Sequence, residues 1–308
     1  MAGLWVAVGS AGKLTTSPDG VTWTVQTSSF GTTGISDVAY SPSLGLWVAV
    51  GDSGKLATSP DGITWTQRTS GFGTTSILCV CWAEDIGLFI CGGSSGLLST
   101  SPDGVTWTSR TSGFGTDSIN GVVWSPELGL ACAVGLNNEI STSSDGINWT
   151  LQTTSGVPSC NDVTWSPALS LFMVVRQTGG AMHRSSDGVT WTAFTVGTSN
   201  NIDVCWSPAL GLFVLVGQSG LLYTSPDGTT WTSRTSGSGG STIQGCGWSP
   251  TLSLFAWGGN SGKLATSPDG VTWTTRTSGF GSTTISALAW GEAAAAAAAG
   301  WTITGQII

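Results

Sequence analysis

Seven aspartates, Asp19, Asp61, Asp103, Asp145, Asp187, Asp227 and Asp269, each follow Ser-Pro or Ser-Ser and precede a glycine. A carboxylate at that place can accept hydrogen bonds from backbone N–H groups of its own turn, while the glycine takes a positive φ. The chemistry this implies is structural. A second group is Arg176, His183 and Arg184, in the segment RQTGGAMHR, which holds the only histidine of the chain. Two planar guanidinium groups can bind carboxylate or phosphate in pairs, so these three residues are candidate ligand contacts; the alternative is plain surface divergence. A third group, Asp37, Asp162 and Asp203, stands three residues before an aromatic in three copies of one strand. Facing a channel, these carboxylates could hold a hydrated cation or be solvated by channel water. Seven cysteines are scattered without a CxxC pair, and Cys79 and Cys81, two apart on one strand, cannot bridge without distortion. They read as small buried hydrophobes. Neither a bound metal nor a cofactor is expected.

The element that must position these groups is a repeat. The stretch SPDGVTWT returns with a period of 42 residues, once 40, and such a period marks a solenoid, an array or a propeller. Each unit reads as short runs rich in Val, Ile, Thr, Trp and Phe separated by Gly, Ser, Pro and Asp turns. The second copy predicts strands at 35 to 41, 46 to 51, 54 to 59 and 64 to 69. Four antiparallel strands in each of seven units describe an all-β, seven-bladed propeller over residues 1 to 290. LWVAVG at residues 4 to 9 lacks its own first strand, and ISALAW at 285 to 290 lacks its second. One composite blade stitched from both termini closes the ring and removes free edges. Residues 291 to 308, GEAAAAAAAGWTITGQII, form a separate Ala-rich tail able to make a short helix.

SPDGxTW resembles the Asp-box, or bacterial neuraminidase repeat, with one residue fewer between Asp and Gly. The resemblance covers all seven units. It implies that the seven aspartates are structural staples between third and fourth strands. Sialidases carry such boxes, and that chemistry needs an arginine cluster, a tyrosine nucleophile with a glutamate partner, and an acid. Here Tyr40 replaces a repeated core Trp, Tyr223 lies in a third strand, and Glu84, Glu127, Glu139 and Glu292 are scattered. An enzyme is therefore not expected, and a sialidase-like hydrolase is the least favoured reading. Phrases such as WSPALGLFVLVG also look like bacterial and phage propellers attached to tail fibres or virion surfaces.

Net charge is −8, and nine basic residues are spread through the repeats. Nucleic-acid binding needs a concentrated basic face, so that class is excluded. Arg68, Arg110, Arg234 and Arg276 recur in the fourth strand as edge charges that discourage strand addition. No apolar run approaches a membrane span, and no signal peptide is seen. Phe30, Phe72, Phe114 and Phe280 recur in the crossing loops, as wedges between blades or as projecting anchors. Variation concentrates in the second-to-third turns and crossing loops, which share one face, and loops on a rigid scaffold commonly carry binding. The expected function is non-enzymatic recognition of a protein or glycan on a virion or host surface. The alternative is an intracellular assembly scaffold, resembling the Asp-box propeller factors of photosystem assembly. Virion or cytoplasm are the expected locations.

Overall fold

Runs such as LWVAVG and LFVLVG are apolar on alternate and intervening positions alike, so each must be a strand covered on both faces. In the computed structural model, which describes residues 3–137, 139–152 and 159–292, these runs are the second strands of seven four-stranded antiparallel sheets. Blade 1 comprises Ile35–Ser41, Leu46–Gly51, Lys55–Ser59 and Thr66–Thr69, its last two strands starting one and two residues later than the spacing predicts. Blades 2 to 6 follow at 77–111, 119–152, 160–195, 201–233 and 243–277. Blade 7 is composite: Ile285–Gly291 pairs antiparallel with Leu4–Gly9, from Leu4 opposite Gly291 to Ala7 opposite Leu288. Each first strand touches the first strand of the next blade around the whole ring, with Ile285–Gly291 between Ile243–Ser249 and Ile35–Ser41. The predicted fold and its closure are what the structure shows. Gly291 belongs to the closing strand, and residues 293–308 of the Ala-rich tail lie outside the described residues.

Packing between blades supplies the core. Val6, Val8 and Leu14 of blade 7 cluster with Ile35, Val38 and Trp47 of blade 1, and corresponding clusters occupy the other junctions. Phe30, Phe72, Phe114 and Phe280 are buried in these clusters, so the crossing-loop phenylalanines are wedges. Blades 4 and 5 carry Val196 and Ser238 at that place, both buried.

The repeated turn joins third to fourth strands. In blade 2 the Asp103 Oδ1 accepts the N–H of Val105 at 2.8 Å and of Thr106 at 2.7 Å, and the Ser101 hydroxyl at 2.9 Å. Trp107 donates its Nε1–H to the Gly104 carbonyl at 3.1 Å. Gly104 has φ +69°, and a Cβ there would stand 2.8 Å from Leu46 of the preceding blade. Backbone N–H donors, Thr106 first, hold the Asp103 carboxyl down at about 2. The same two backbone bonds recur at Asp19, Asp61, Asp145, Asp187, Asp227 and Asp269.

The fourth-strand arginines are not free edge charges. Arg68, Arg110, Arg234 and Arg276 lie half-buried and donate Nε–H to Thr58, Thr100, Thr224 and Thr266 of the third strand, at 2.9 to 3.0 Å. Gln26 and Gln152 make the equivalent bond in blades 7 and 3.

Asp103→Ala is expected to lower stability at pH 7 by about 1 to 2 kcal/mol, because charged-acceptor bonds are lost while water can reach the freed N–H groups. A depressed carboxyl stabilises above its unfolded value near 4, and that contribution disappears as pH falls towards 2. Urea unfolding at pH 7 and pH 2.5 should therefore show the difference between wild type and variant shrinking in acid.

Candidate functional site

The first strands line the axis, and each carries the same irregularity. In blade 1 Ile35 pairs with Gly51 but Asp37 with Val50, so Ser36 is an extra, bulged residue. The shift recurs in every blade. A bulge re-aims side chains, and in five of the seven blades two consecutive residues, such as Ser36 and Asp37, reach the axis. A cavity of about 240 Å³ at this mouth is lined by Asp37, Asn120, Asn161, Asp162, Asp203 and Gln244, among others.

The three axial aspartates do not behave alike. Asp37 accepts the N–H of its neighbour Val38 at 2.7 Å and of Val80 in blade 2 at 2.8 Å, one on each oxygen. Asp203 does the same with Val204 at 2.7 Å and Cys246 of blade 6 at 2.6 Å. These carboxylates clasp adjacent blades. Asp162 instead meets the Asp203 carboxylate side chain to side chain, and burial followed by that neighbouring charge pushes its carboxyl well up. Burial also raises Asp37, to about 7. Among the described residues no His, Cys, Asp and Glu cluster could hold a metal ion, and both oxygens of two of the three aspartates are already engaged.

Strands two and three meet at the same end of the ring, since Ile35 begins its strand opposite Gly51. The residue after that second-strand position is Ser10, Asp52, Ser94, Leu136, Gln177, Gln218 or Asn260. In each copy its N–H bonds the carbonyl preceding the first strand. Blades 4, 5 and 6 thus present carboxamides in succession. With Asn161, Asn200 and Gln244 they line a groove of about 450 Å³ together with Thr178, Ile202 and Thr242. Among the described residues no charged side chain lines it. Asn161, Ile202 and Gln244 also line the axial cavity, so groove and channel mouth are continuous.

Some of these amides are already engaged. Asn161 donates to the Asn201 carbonyl at 2.7 Å, Gln244 donates to Asn260 Oδ1 at 3.0 Å, and Asn200 Oδ1 accepts the Gly179 N–H at 3.3 Å. Those bonds fix their orientation. Gln177 and Gln218 are exposed, and their side chains make no hydrogen bond among the described residues.

Arg176, His183 and Arg184 are not gathered at this mouth. Arg176 is buried opposite Cys160 at the end of its strand. His183 is buried and pairs with Val174. Arg184, next along the strand, points to the opposite face. Its guanidinium sits 5.7 Å above the Phe194 ring and bonds the Gly228 carbonyl of blade 5 at 3.4 Å. Blade 4 has exchanged the Thr–Arg pair of other blades for an Arg–Phe pair. The amide sector is not apparent in the sequence because its members come from three different positions of the repeat: the turn after the second strand, the residue before the first strand and the bulge within the first strand; aligning those positions copy by copy was the available signal.

Solved structures share this fold. The chain is similar to YCF48 bound to D1 peptide, at 18% identity over 79% of this chain and 81% of that one, with a TM-score of 0.63. It is similar to YCF48 from Cyanidioschyzon merolae, at 18% identity, coverage of 78% and 84% and a TM-score of 0.59. It is also similar to virginiamycin B lyase from Staphylococcus aureus, at 11% identity, coverage of 79% and 84% and a TM-score of 0.69. At these identities the likeness is one of fold. No family model matches the sequence, and no curated protein does.

A raised carboxyl binds a proton in the folded state that the unfolded chain lacks. Its contribution is complete below about pH 4 and is lost as pH rises through the folded value. Melting temperature should therefore fall between pH 5 and pH 8. Asp162→Asn, which keeps a neutral hydrogen-bonding group beside Asp203, should flatten that slope and raise the pH 8 melting temperature by about 2 °C or more. An unchanged slope would show that Asp162 is not the group responsible.

Proposed function

We propose that the protein is a non-enzymatic recognition propeller that holds a protein or glycan partner in the amide-lined groove across blades 4 to 6. The observation that carries this reading is the position of Asn161, Gln177, Asn200, Gln218, Gln244 and Asn260, six carboxamides in one sector of an otherwise near-repetitive ring. Carboxamides offer both donors and acceptors, and a groove of this size lies within the ordinary range of ligand sites. Three blades contribute, so the site exists only where blades 4, 5 and 6 pack together.

The non-catalytic reading draws support from the titratable groups at the mouth. Asp37 and Asp203 are engaged with backbone N–H groups, and burial drives the Cys79 thiol well up, away from the nucleophilic thiolate. Among the described residues the groove lining holds no basic side chain, which argues against nucleic acid. Among the described residues no helix is long and apolar enough to cross a membrane. The resemblance of the repeats to virion-attached propellers supports a virion or host-surface setting. A second setting, an assembly scaffold that holds a protein segment, is favoured by the fold likeness to YCF48, which has been solved bound to D1 peptide.

The test is Gln177→Ser/Gln218→Ser/Asn260→Ser, which installs the residue that blades 7 and 2 carry as Ser10 and Ser94. Folding should be unaffected. Wild type should bind saturably to members of a peptide library or a glycan array, and the triple variant should lose at least about tenfold in affinity, the equivalent of one hydrogen bond or more. Binding that survives the triple change would move the site elsewhere.

A further inference from the structure

We infer that the ligand of the amide sector is an extended, non-acidic stretch of polypeptide, recognised chiefly through its main chain; this rests on the groove being the recognition site. The argument begins with what the groove lacks. Sugars present an apolar face as well as hydroxyls, and that face needs a platform. Among the described residues the only large apolar side chain lining the groove is Ile202. The aromatic pairs of blades 5 and 6 are committed elsewhere: Trp206 packs on Phe213 with ring centroids 4.5 Å apart, and Trp248 on Phe255 at 4.6 Å. Both pairs pack with the junction cores, away from the groove lining.

What the groove offers is a row of groups that each donate and accept. A polypeptide main chain presents one N–H and one C=O per residue, and in extended form its residues recur about every 3.3 Å with side chains on alternate sides. Gln177 and Gln218 carry unused donors and acceptors, while Asn161, Asn200, Gln244 and Asn260 each retain part of their capacity after the bonds that orient them. Orientation in advance lowers the entropic cost of binding. Neutral carboxamides also read a main chain without demanding a particular side-chain charge.

Charge enters where the groove meets the axis. Asn161, Ile202 and Gln244 join the groove to the axial cavity, where Asp162 and Asp203 stand. A ligand carboxylate brought there would face the Asp203 carboxylate, while burial holds Asp162 in its neutral form, and it would do so on a protein whose net charge is already −8. The bound stretch is therefore poor in Asp and Glu where it meets the axis.

The experiment pans an mRNA-displayed random dodecapeptide library against the immobilised full-length protein, beside a glycan array. Enriched peptides should be poor in Asp and Glu. Methylating single main-chain nitrogens of an enriched peptide should weaken binding by about tenfold at two or more positions, more than alanine substitution at the same positions. The triple serine variant should lose these peptides while keeping the wild-type melting curve. Enriched peptides that tolerate every N-methylation, or that bind the triple variant unchanged, would overturn the inference. Glycan binding lost in the triple variant, with no peptide enriched, would leave groove recognition standing and overturn the polypeptide assignment. Binding to neither array would overturn both.

Discussion

The pairing of Leu4–Gly9 with Ile285–Gly291 is the contact on which the ring depends. Each blade is apolar on both faces and is stable only between two neighbours. Without this pairing, blade 7 divides, and blades 1 and 6 each lose the partner that covers Val38 or Ala256 and Leu264. The fit at the seam is close. Trp5 meets Trp290 edge to face at 5.6 Å, and Gly3 has no room for a Cβ against the Trp290 ring. Closure also fixes the diameter of the channel, and hence the meeting of Asp162 with Asp203 across adjacent blades.

Two kinds of residue divide the work. Residues that recur in every copy build the scaffold: the Asp103-type turn ties strands three and four, Gly104 and its equivalents seat that turn on the preceding blade, and the bulge after Ile35 and its equivalents turns side chains to the axis. Residues that break the repeat define the surface. Where the turn after the second strand carries serine in blades 7 and 2, it carries Gln177, Gln218 and Asn260 in blades 4 to 6. A rigid ring displays these amides in fixed relation, which a flexible loop could not do.

The repeat made the architecture legible, because spacing, strand-length runs and the complementary chain ends each constrain it independently. Chemistry was less legible for reasons of geometry. Arg176, His183 and Arg184 are near in sequence, yet alternation along a strand sends His183 and Arg184 to opposite faces, and Arg184 stacks on Phe194. Asp37 reads as a channel carboxylate, but the bulge also brings it within reach of the Val80 N–H in the next blade. The fourth-strand arginines look like edge charges until their register with Thr58 and its equivalents is known. The amide groove draws on residues as far apart as Asn161 and Asn260, and only ring order and bulge register place them together.

Side-chain amide resonances give the most direct measurement of the central claim, that broken symmetry in blades 4 to 6 is the binding surface. Asn and Gln carboxamides can be labelled with ¹⁵N and followed while a library-selected dodecapeptide is added. The account predicts shifts at Asn161, Gln177, Asn200, Gln218, Gln244 and Asn260, with none at Gln26, Gln67, Asn148 or Gln152 near the outer strands. Shifts confined to those outer amides, or no shift at a saturating peptide concentration, would contradict it.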